Sequence, residues 1–342
     1  VAGQPVQDDE LRDLVRELQE DIVRHGLTFF EAATGLAFHL FERRSVDVAV
    51  VEVGLGGRLD ATNVVEPLIT AITNVAKDHS EYLGESLHDI TREKAGIIKA
   101  GVPLLTAERD ESLLSILEEH CDRVGAPFRP LRVDPPSMEL EITESRTCFT
   151  APTRAWGSIR IRTPLVGEHQ AVNGALSAAI LGDLPVPLRP DVQTVLEGIE
   201  GVNWPGRSQV VRLDGQAWLF DVAHNLAGAQ ALASVLDGLT LPRPVILLTA
   251  VLGDKDWRAI LPPLLEKTDH AVFTQAPSAP LERRWSPRKA AADVGRPGAE
   301  ICPDFDRALQ RAKALAGSGT IVVTGSNHTV GDALRALDLS PF

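Results

Sequence analysis

This 342-residue sequence predicts two α/β domains, each built on a parallel sheet, and three observations carry that expectation. Val46-Asp-Val-Ala-Val-Val-Glu-Val53 and Val245-Ile-Leu-Leu-Thr-Ala-Val251 are short, nearly all apolar and rich in β-branched residues, the pattern of strands buried on both faces of a parallel sheet. Amphipathic segments of helical period alternate with such runs, as helical crossovers between parallel strands require. The alternation stops, then restarts, in a chain longer than the ~250 to 300 residues at which a single core stops growing.

In chain order, Leu11, Leu14, Val15, Leu18, Ile22 and Val23 share one face of a helix over 9–24, which Gly26 ends in a left-handed conformation. A second helix starts near Phe29 and stops before Ser45. The strand 46–53, a glycine loop, a strand over 68–75 and a helix over 86–99 follow, with Ser86 and Asp89 as a capping box in which Asp replaces the usual Glu or Gln. Strand 102–106 and helix 111–124 continue the alternation. From 130 to 166 apolar and polar residues alternate, as in Glu139-Leu-Glu-Ile-Thr143 and Ser158-Ile-Arg-Ile-Arg162, which predicts a small antiparallel region. Helices over 169–184 and 191–200 lead to Trp204-Pro-Gly206, where the boundary between domains 1–206 and 207–342 is placed. The second domain reads as strand 217–222, helix 227–236, strand 245–251, helix 257–266, strand 271–274, helix 305–316, strand 320–324 and a final short helix.

Hydrophobic residues make up 44% and charged residues 24% of the chain, ordinary for a globular protein, and the net charge of -13 argues against a nucleic-acid partner. Cys121, Cys148 and Cys302 have neither disulfide-framework nor metal-site spacing, which suits a reducing compartment. The apolar runs fall well short of the ~20 residues that span a bilayer, and no charged leader precedes one, so a cytoplasmic protein with no membrane partner is expected. Val1 is not an initiator methionine and the only Met is Met138, so the sequence is expected to be incomplete at its N-terminus.

The segment Glu52-Val-Gly-Leu-Gly-Gly-Arg-Leu-Asp-Ala-Thr-Asn63 places a carboxylate and a glycine turn beyond a strand, where α/β sheets bind ligands. A dinucleotide fingerprint begun at Gly54 fails because Leu59 stands where its last glycine belongs, and no Gly-Lys pair followed by Ser or Thr occurs. Glu52 and His79 fall at or just past strand ends, where they would hold a divalent cation or form a capped, hydrogen-bonded loop. Lys94 shares a helical stripe with Leu87, Ile90, Ile97 and Ile98, so it is expected to be partly buried, either snorkelling or with a lowered pKa. Thr28-Phe29-Phe30-Glu31 by itself reads as a core aromatic pair at a helix start.

Glu52 to Asn63, Leu27-Thr-Phe-Phe-Glu31, Asp78-His79 with Leu83-Gly84, Arg92-Glu-Lys-Ala-Gly-Ile-Ile-Lys99, His169-Gln170 with Asn173, Trp204-Pro-Gly-Arg207, Asp221 with His224-Asn225, Gly253-Asp-Lys-Asp256 and Gly325-Ser326 together resemble the folylpolyglutamate synthase and dihydrofolate synthase family of Mur-type ligases. The resemblance implies a Mur-type ATPase domain followed by a Rossmann-like glutamate-ligase domain. It implies Glu52 and His79 as magnesium ligands, with a monovalent cation as a further, optional ion, and Lys94 as a carbamylated lysine. It assigns Asn173, Arg207 and Asp221 to ATP, and Thr28, Phe29, Phe30, Glu31, Leu59, Asp60 and Ala61 to the folate or pteroate pocket. His224 and Ser326 are implied at the L-glutamate site, and Lys255 is either a phosphate contact or part of a structural turn. The implied reaction phosphorylates a carboxylate of folate or dihydropteroate and joins glutamate to it, in a monomer.

The sequence departs from the family in two places. Members carry an upstream Gly-Lys-Gly-Ser loop, absent here, so the first strand and helix of the ATPase domain are expected to be missing. Leu226 stands where a proline usually follows His-Asn. Two alternatives stay open: another Mur-type amino-acid ligase, and a noncatalytic folate-binding remnant.

Overall fold

A computed structural model describes residues 1–77, 80–296 and 298–339, with only the backbone of Ser80 and Glu81. It separates into two compact units. The first holds Val1–Val75, residues 80–104 and Asp110–Arg129; the second holds residues 76–77, Leu105–Arg109 and the described chain from Pro130 on. By contacts, residues 130–206 thus group with the chain that follows them. The cause is packing: Ile142 and Val166 join the core of the C-terminal sheet beside Leu219, Leu232 and Leu247.

The first unit opens with α1 (Asp8–His25) and α2 (Phe29–Arg43). Gly26 ends α1 in the left-handed conformation at φ 61°, sending its N–H back to the carbonyls of Ile22 and Val23. Strand β1 (Thr70–Ile72), helices α3 (Ser80–Leu83) and α4 (Leu87–Ala95), strand β2 (Leu104–Thr106), helix α5 (Glu111–Val124) and strand β3 (Phe128–Pro130) follow, the strands pairing in the order β1-β2-β3. Ile72, Ile90, Ile98, Leu104, Leu113 and Leu117 form the core under α4 and α5. Ser86 caps α4: its hydroxyl accepts from the Asp89 N–H and donates to the Asp89 carboxylate.

One expected element of this unit does not form. Residues 46–53 belong to no strand, and Val50 is 94% exposed. A strand of this composition needs hydrogen-bonding neighbours on both edges to be buried, and among the described residues none pairs with it. Strand 68–75 is likewise reduced to β1.

The second unit begins with an antiparallel sheet, β4 (Glu141–Thr143), β5 (Arg146–Thr153) and β6 (Gly157–Thr163), in which Cys148 pairs with both Glu141 and Arg162. Helices α6 (Glu168–Asp183) and α7 (Val192–Glu200) bury its inner face against Phe149, Ile161, Ala171 and Val195. Then come β7 (Gln209–Leu213), β8 (Gln216–Phe220), α8 (Leu226–Gly238), β9 (Val245–Thr249), α9 (Trp257–Leu265), β10 (His270–Phe273), α10 (Pro287–Val294), β11 (Ala299–Ile301), α11 (Phe305–Ala316), β12 (Thr320–Thr324) and α12 (Asn327–Ala336).

Their six strands lie in the order β11-β10-β9-β12-β8-β7, parallel except for the β7–β8 hairpin. That hairpin turns on Asp214-Gly215, both at positive φ (50° and 80°), an Asp-Gly signal of the two-residue turn. Helices α8, α9 and α10 cover one face around Leu247 and Phe273, and α11 and α12 cover the other around Leu248 and Val323. The helices that follow β8 and β9 therefore lie opposite the one that follows β12. The crevice beyond the carboxyl ends of these three strands is a topological switch point, where such sheets bind ligands. Among the described residues no helix is long and apolar enough to cross a membrane.

Candidate functional site

In the first unit, the glycine segment after Glu52 is shaped by Asp60. One Asp60 carboxylate oxygen accepts from the backbone N–H groups of Gly54 (3.0 Å) and Leu55 (2.9 Å), and the other accepts from the Thr62 N–H and hydroxyl. Partial burial works to raise the Asp60 pKa, but the hydrogen bonds from Thr62, Leu55 and Gly54 outweigh it and hold the pKa below the usual carboxylate range. The loop is clamped on the end of α4: Arg58 N–H donates to the Glu93 carbonyl, its guanidinium pairs with the Glu93 carboxylate at 2.9 Å, and Asn63 Nδ2 donates to the carbonyls of Arg58 and Gly96. Gly57 is required by this approach, since a Cβ there would meet the Glu93 and Lys94 carbonyls at 3.0 Å.

Thr28 and Glu31 form a full capping box at the start of α2, with Glu31 Oε2 accepting from the Thr28 N–H (2.8 Å) and hydroxyl (2.7 Å). These bonds, the backbone one first, hold the Glu31 pKa low. The box sets Phe30 over Gly54, whose missing Cβ leaves room for the ring. The result is a cavity of about 290 Å³ lined by Thr28, Phe30, Glu31, Leu59, Asp60 and Ala61. Of the residues expected at a folate pocket only Phe29 is left out, turned to solvent and 90% exposed. Leu55, Tyr82, Leu83 and Glu93 complete the wall. Sequence reasoning missed Tyr82 and Glu93 as wall residues, although the Leu83-Gly84 match lies beside Tyr82.

Lys94 is half-buried on α4, on the turn that holds the glycine loop. Glu52 is exposed at the start of that loop. His79 lies outside the described residues, so the Glu52–His79 pair has no geometry here, and among the described residues no three His, Cys, Asp or Glu gather as a metal site.

In the second unit, Asp221 ends β8 almost fully buried. Its Oδ2 accepts from the Ser208 N–H (2.8 Å) and hydroxyl (3.0 Å), and its Oδ1 from the Ala223 N–H (2.8 Å). Burial raises its pKa against those bonds and the nearby His169. A carboxylate has about four acceptor positions, so roughly one on Asp221 remains for a ligand. His169 is close enough to feel both Asp221 and Arg207. Burial lowers its pKa; Asp221 opposes this and the Arg207 guanidinium adds to it. The His169 ring fills the side of Gly167, 2.8 Å from where a Cβ would stand. Arg207 is exposed, one residue before Ser208, and Asn173 sits one helical turn along α6 from His169, its amide 3.4 Å from Gln170 Oε1.

The structure thus brings Arg207 and Asp221 together around His169, with Asn173 on the same helix. Ser208 and His169 were not singled out as site residues by sequence reasoning. The His169-Gln170 motif was visible, but nothing in it points to Asp221.

At the switch point, His224 is half-buried with Nδ1 2.9 Å from the Val222 carbonyl. Ser326 is buried as the cap of α12: its hydroxyl accepts from the Thr329 N–H and donates to the Ala250 carbonyl, both at 3.1 Å. Gly325, at φ 112°, lets the chain pass Thr249 and Ala250 at a distance no side chain allows.

Residues 19–181 match the Mur ligase middle domain and residues 206–328 the Mur ligase glutamate ligase domain, so fold and site together define a Mur ligase. The chain is 31% identical to the dihydrofolate synthase/folylpolyglutamate synthase of Bacillus subtilis, over 98% of this chain and 80% of that protein. It is 32% identical to its counterpart in Escherichia coli, over 92% and 70%. Among solved structures, Mycobacterium tuberculosis folylpolyglutamate synthase complexed with ADP and AMPPCP superposes with a TM-score of 0.88 at 29% identity, covering 99% of this chain and 81% of that one. A bifunctional folylpolyglutamate synthase/dihydrofolate synthase with Mn, AMPPNP and L-glutamate bound gives 0.78 at 28% identity, over 98% and 78%. The chain belongs to the dihydrofolate synthase/folylpolyglutamate synthase family.

Proposed function

We propose that this protein joins L-glutamate to dihydropteroate or a folate at the expense of ATP. A carboxylate oxygen of the pteroate attacks the γ-phosphorus of ATP and ADP leaves. The amine of glutamate then attacks the acyl carbon, phosphate leaves, and the nitrogen gives up its proton as the amide forms. The carrying observation is the cavity of about 290 Å³, in which Thr28, Phe30 and Glu31 meet Leu59, Asp60 and Ala61 from a distant stretch of chain. It offers an aromatic ring for a flat heterocycle and few polar groups to orient it, the usual make-up of such sites.

Arg207, Asp221 and Asn173 are assigned to ATP in this reading. Asp221, fixed by Ser208 and Ala223, accepts from a ribose hydroxyl, and Arg207 grips phosphate oxygens with paired hydrogen bonds. The exposed Glu52 carboxylate fits a hard divalent cation, which keeps water and phosphate oxygens as its other ligands, with His79 as a second protein ligand. When bound, the cation neutralises charge on the transferred phosphoryl group. Lys94, carbamylated, would stand beside the glycine loop, and His224 and Ser326 at the glutamate end. In the same reading the middle domain is 1–206, the ligase domain is 207–342, and the protein works in the cytoplasm.

The test is ADP release with ATP, magnesium and each acceptor in turn. ADP formation that requires both a pteroate and glutamate supports the reading. Pteroate binding without ADP formation would make it a noncatalytic folate binder, and turnover only with a peptide acceptor would make it a different Mur-type ligase.

A further inference from the structure

The proposed reading places His224 and Ser326 at the glutamate end but names no particular group for the amine of the incoming amino acid. Ser326 does not supply one, since its hydroxyl is spent on the cap of α12 and on the Ala250 carbonyl. Two residues on, His328 is half-buried in the first turn of α12, and its Nδ1 lies 3.0 Å from the Ser278 hydroxyl on the loop after β10. Ser278 is itself bound to Asp332, one turn further along α12. The Ser278 N–H (2.9 Å) and hydroxyl (3.0 Å) both donate to Asp332 Oδ2, while Arg335 donates to Oδ1 at 3.0 Å. Asp332 is 5% exposed, so this chain of bonds is anchored in the interior.

Donor bookkeeping then fixes the imidazole. A carboxylate only accepts, so the single Ser278 hydroxyl proton goes to Asp332. The Ser278 oxygen is left as an acceptor, and the ring nitrogen facing it must carry hydrogen. In neutral His328 the proton is therefore on Nδ1, and Nε2 presents a lone pair. The ring belongs to the first turn of the helix that follows β12, and Ser278 to the loop that follows β10, so both lie at the carboxyl edge of the sheet that carries the switch point.

We propose that His328 is an amino-acid-binding residue of this ligase, its Nε2 accepting a hydrogen bond from the amine of the incoming glutamate, with Ser278 and Asp332 as positioning residues. An acceptor there selects a nucleophile bearing N–H, and it orients the nitrogen without competing for its attacking lone pair.

The inference rests on the ligase reading, and hydroxylamine separates the two. As a small nucleophile it traps the acyl phosphate as a hydroxamate without needing the amino-acid site. Steady-state kinetics of His328→Ala, His328→Gln and Ser278→Ala would be measured with glutamate and with hydroxylamine. The expected result for His328→Ala is a KM for glutamate raised about tenfold, the loss of one hydrogen bond to a charged group, with hydroxamate formation and the KM for ATP unchanged. His328→Gln, whose amide oxygen takes the place of Nε2, should recover part of the loss, and Ser278→Ala should show a smaller rise. An unchanged KM for glutamate in His328→Ala would overturn the proposal, as would equal losses with both nucleophiles. Wild-type protein that forms no hydroxamate would overturn the ligase reading and this inference with it.

Discussion

Strand β9 of the second unit has parallel neighbours on both sides, β10 and β12, and all five of its residues are buried. Residues 46–53 of the first unit, of similar composition, pair with nothing among the described residues, and Val48 and Val50 are 47% and 94% exposed. An apolar run states a preference for burial, but filled hydrogen-bonding edges decide whether it is met. The contrast extends to the sites: the second unit sets Asp221 and Ser326 on the ends of buried strands, whereas the first holds its pocket on a loop pinned by Asp60 and α4.

Hydrogen exchange should show the largest difference between the two segments. Amides of β9 should open only with global unfolding, slowed ~1,000-fold or more, while those of 46–53 exchange near the free rate. Equal protection would break the comparison. In the same spirit, Leu247→Ala should cost about 2–5 kcal/mol in urea unfolding, whereas Val50→Ala should stay within ~0.5 kcal/mol.

Two glycines sharpen the comparison at the sites. A Cβ on Gly325 would stand 2.6 Å from Thr249 Oγ1 and 2.7 Å from the Ala250 carbonyl, at a φ of 112°. Backbone cannot swing aside, so Gly325→Ala should lose about 2 kcal/mol or more. On Gly54 the three atoms nearest the Cβ all belong to the Phe30 ring, and Phe30 is 40% exposed and able to turn. Gly54→Ala should therefore spare stability and raise the KM for the pteroate substrate; a variant that unfolds instead would show the loop to be as rigid as the sheet.

The smallest effects come from pH. Asp60 has a lowered pKa when folded, so its contribution is present above the unfolded value and lost as pH falls through the folded one. The stability deficit of Asp60→Asn should shrink on acidification. Asp221 has a raised pKa, so its favourable contribution exists below the unfolded value and fades as pH rises through the folded one. Relative to Asp221→Asn, the wild type should then lose ground as pH rises. Unfolding curves from about pH 3 to 7 read both signs.

Much of the fold was legible where local and long-range preferences agree. Helices α5 and α11 and strand β12 occupy the expected residues, since caps at Asp110 and Asp304 and the left-handed Gly125 mark ends that the packing keeps. Strands β7 and β11 and helix α10 went unread: they are short and only partly apolar, and Asp214-Gly215 was the one clear signal among them. At the sites, Thr28, Phe30, Glu31, Leu59, Asp60 and Ala61 were legible as motif residues and meet in one cavity. Ser208 beneath Asp221, Tyr82 and Glu93 in the pocket wall, and the Ser278–His328–Asp332 chain were not. Each depends on segments that only the fold brings together.

The central claim is acyl transfer through phosphate, and isotope transfer tests it most directly. Dihydropteroate labelled with heavy oxygen in its carboxylate is turned over with ATP and glutamate, and the released phosphate is examined by mass spectrometry. One labelled oxygen in phosphate for each amide formed, with ADP as the nucleotide product, is the predicted result. Unlabelled phosphate, or label carried into AMP, would contradict the account.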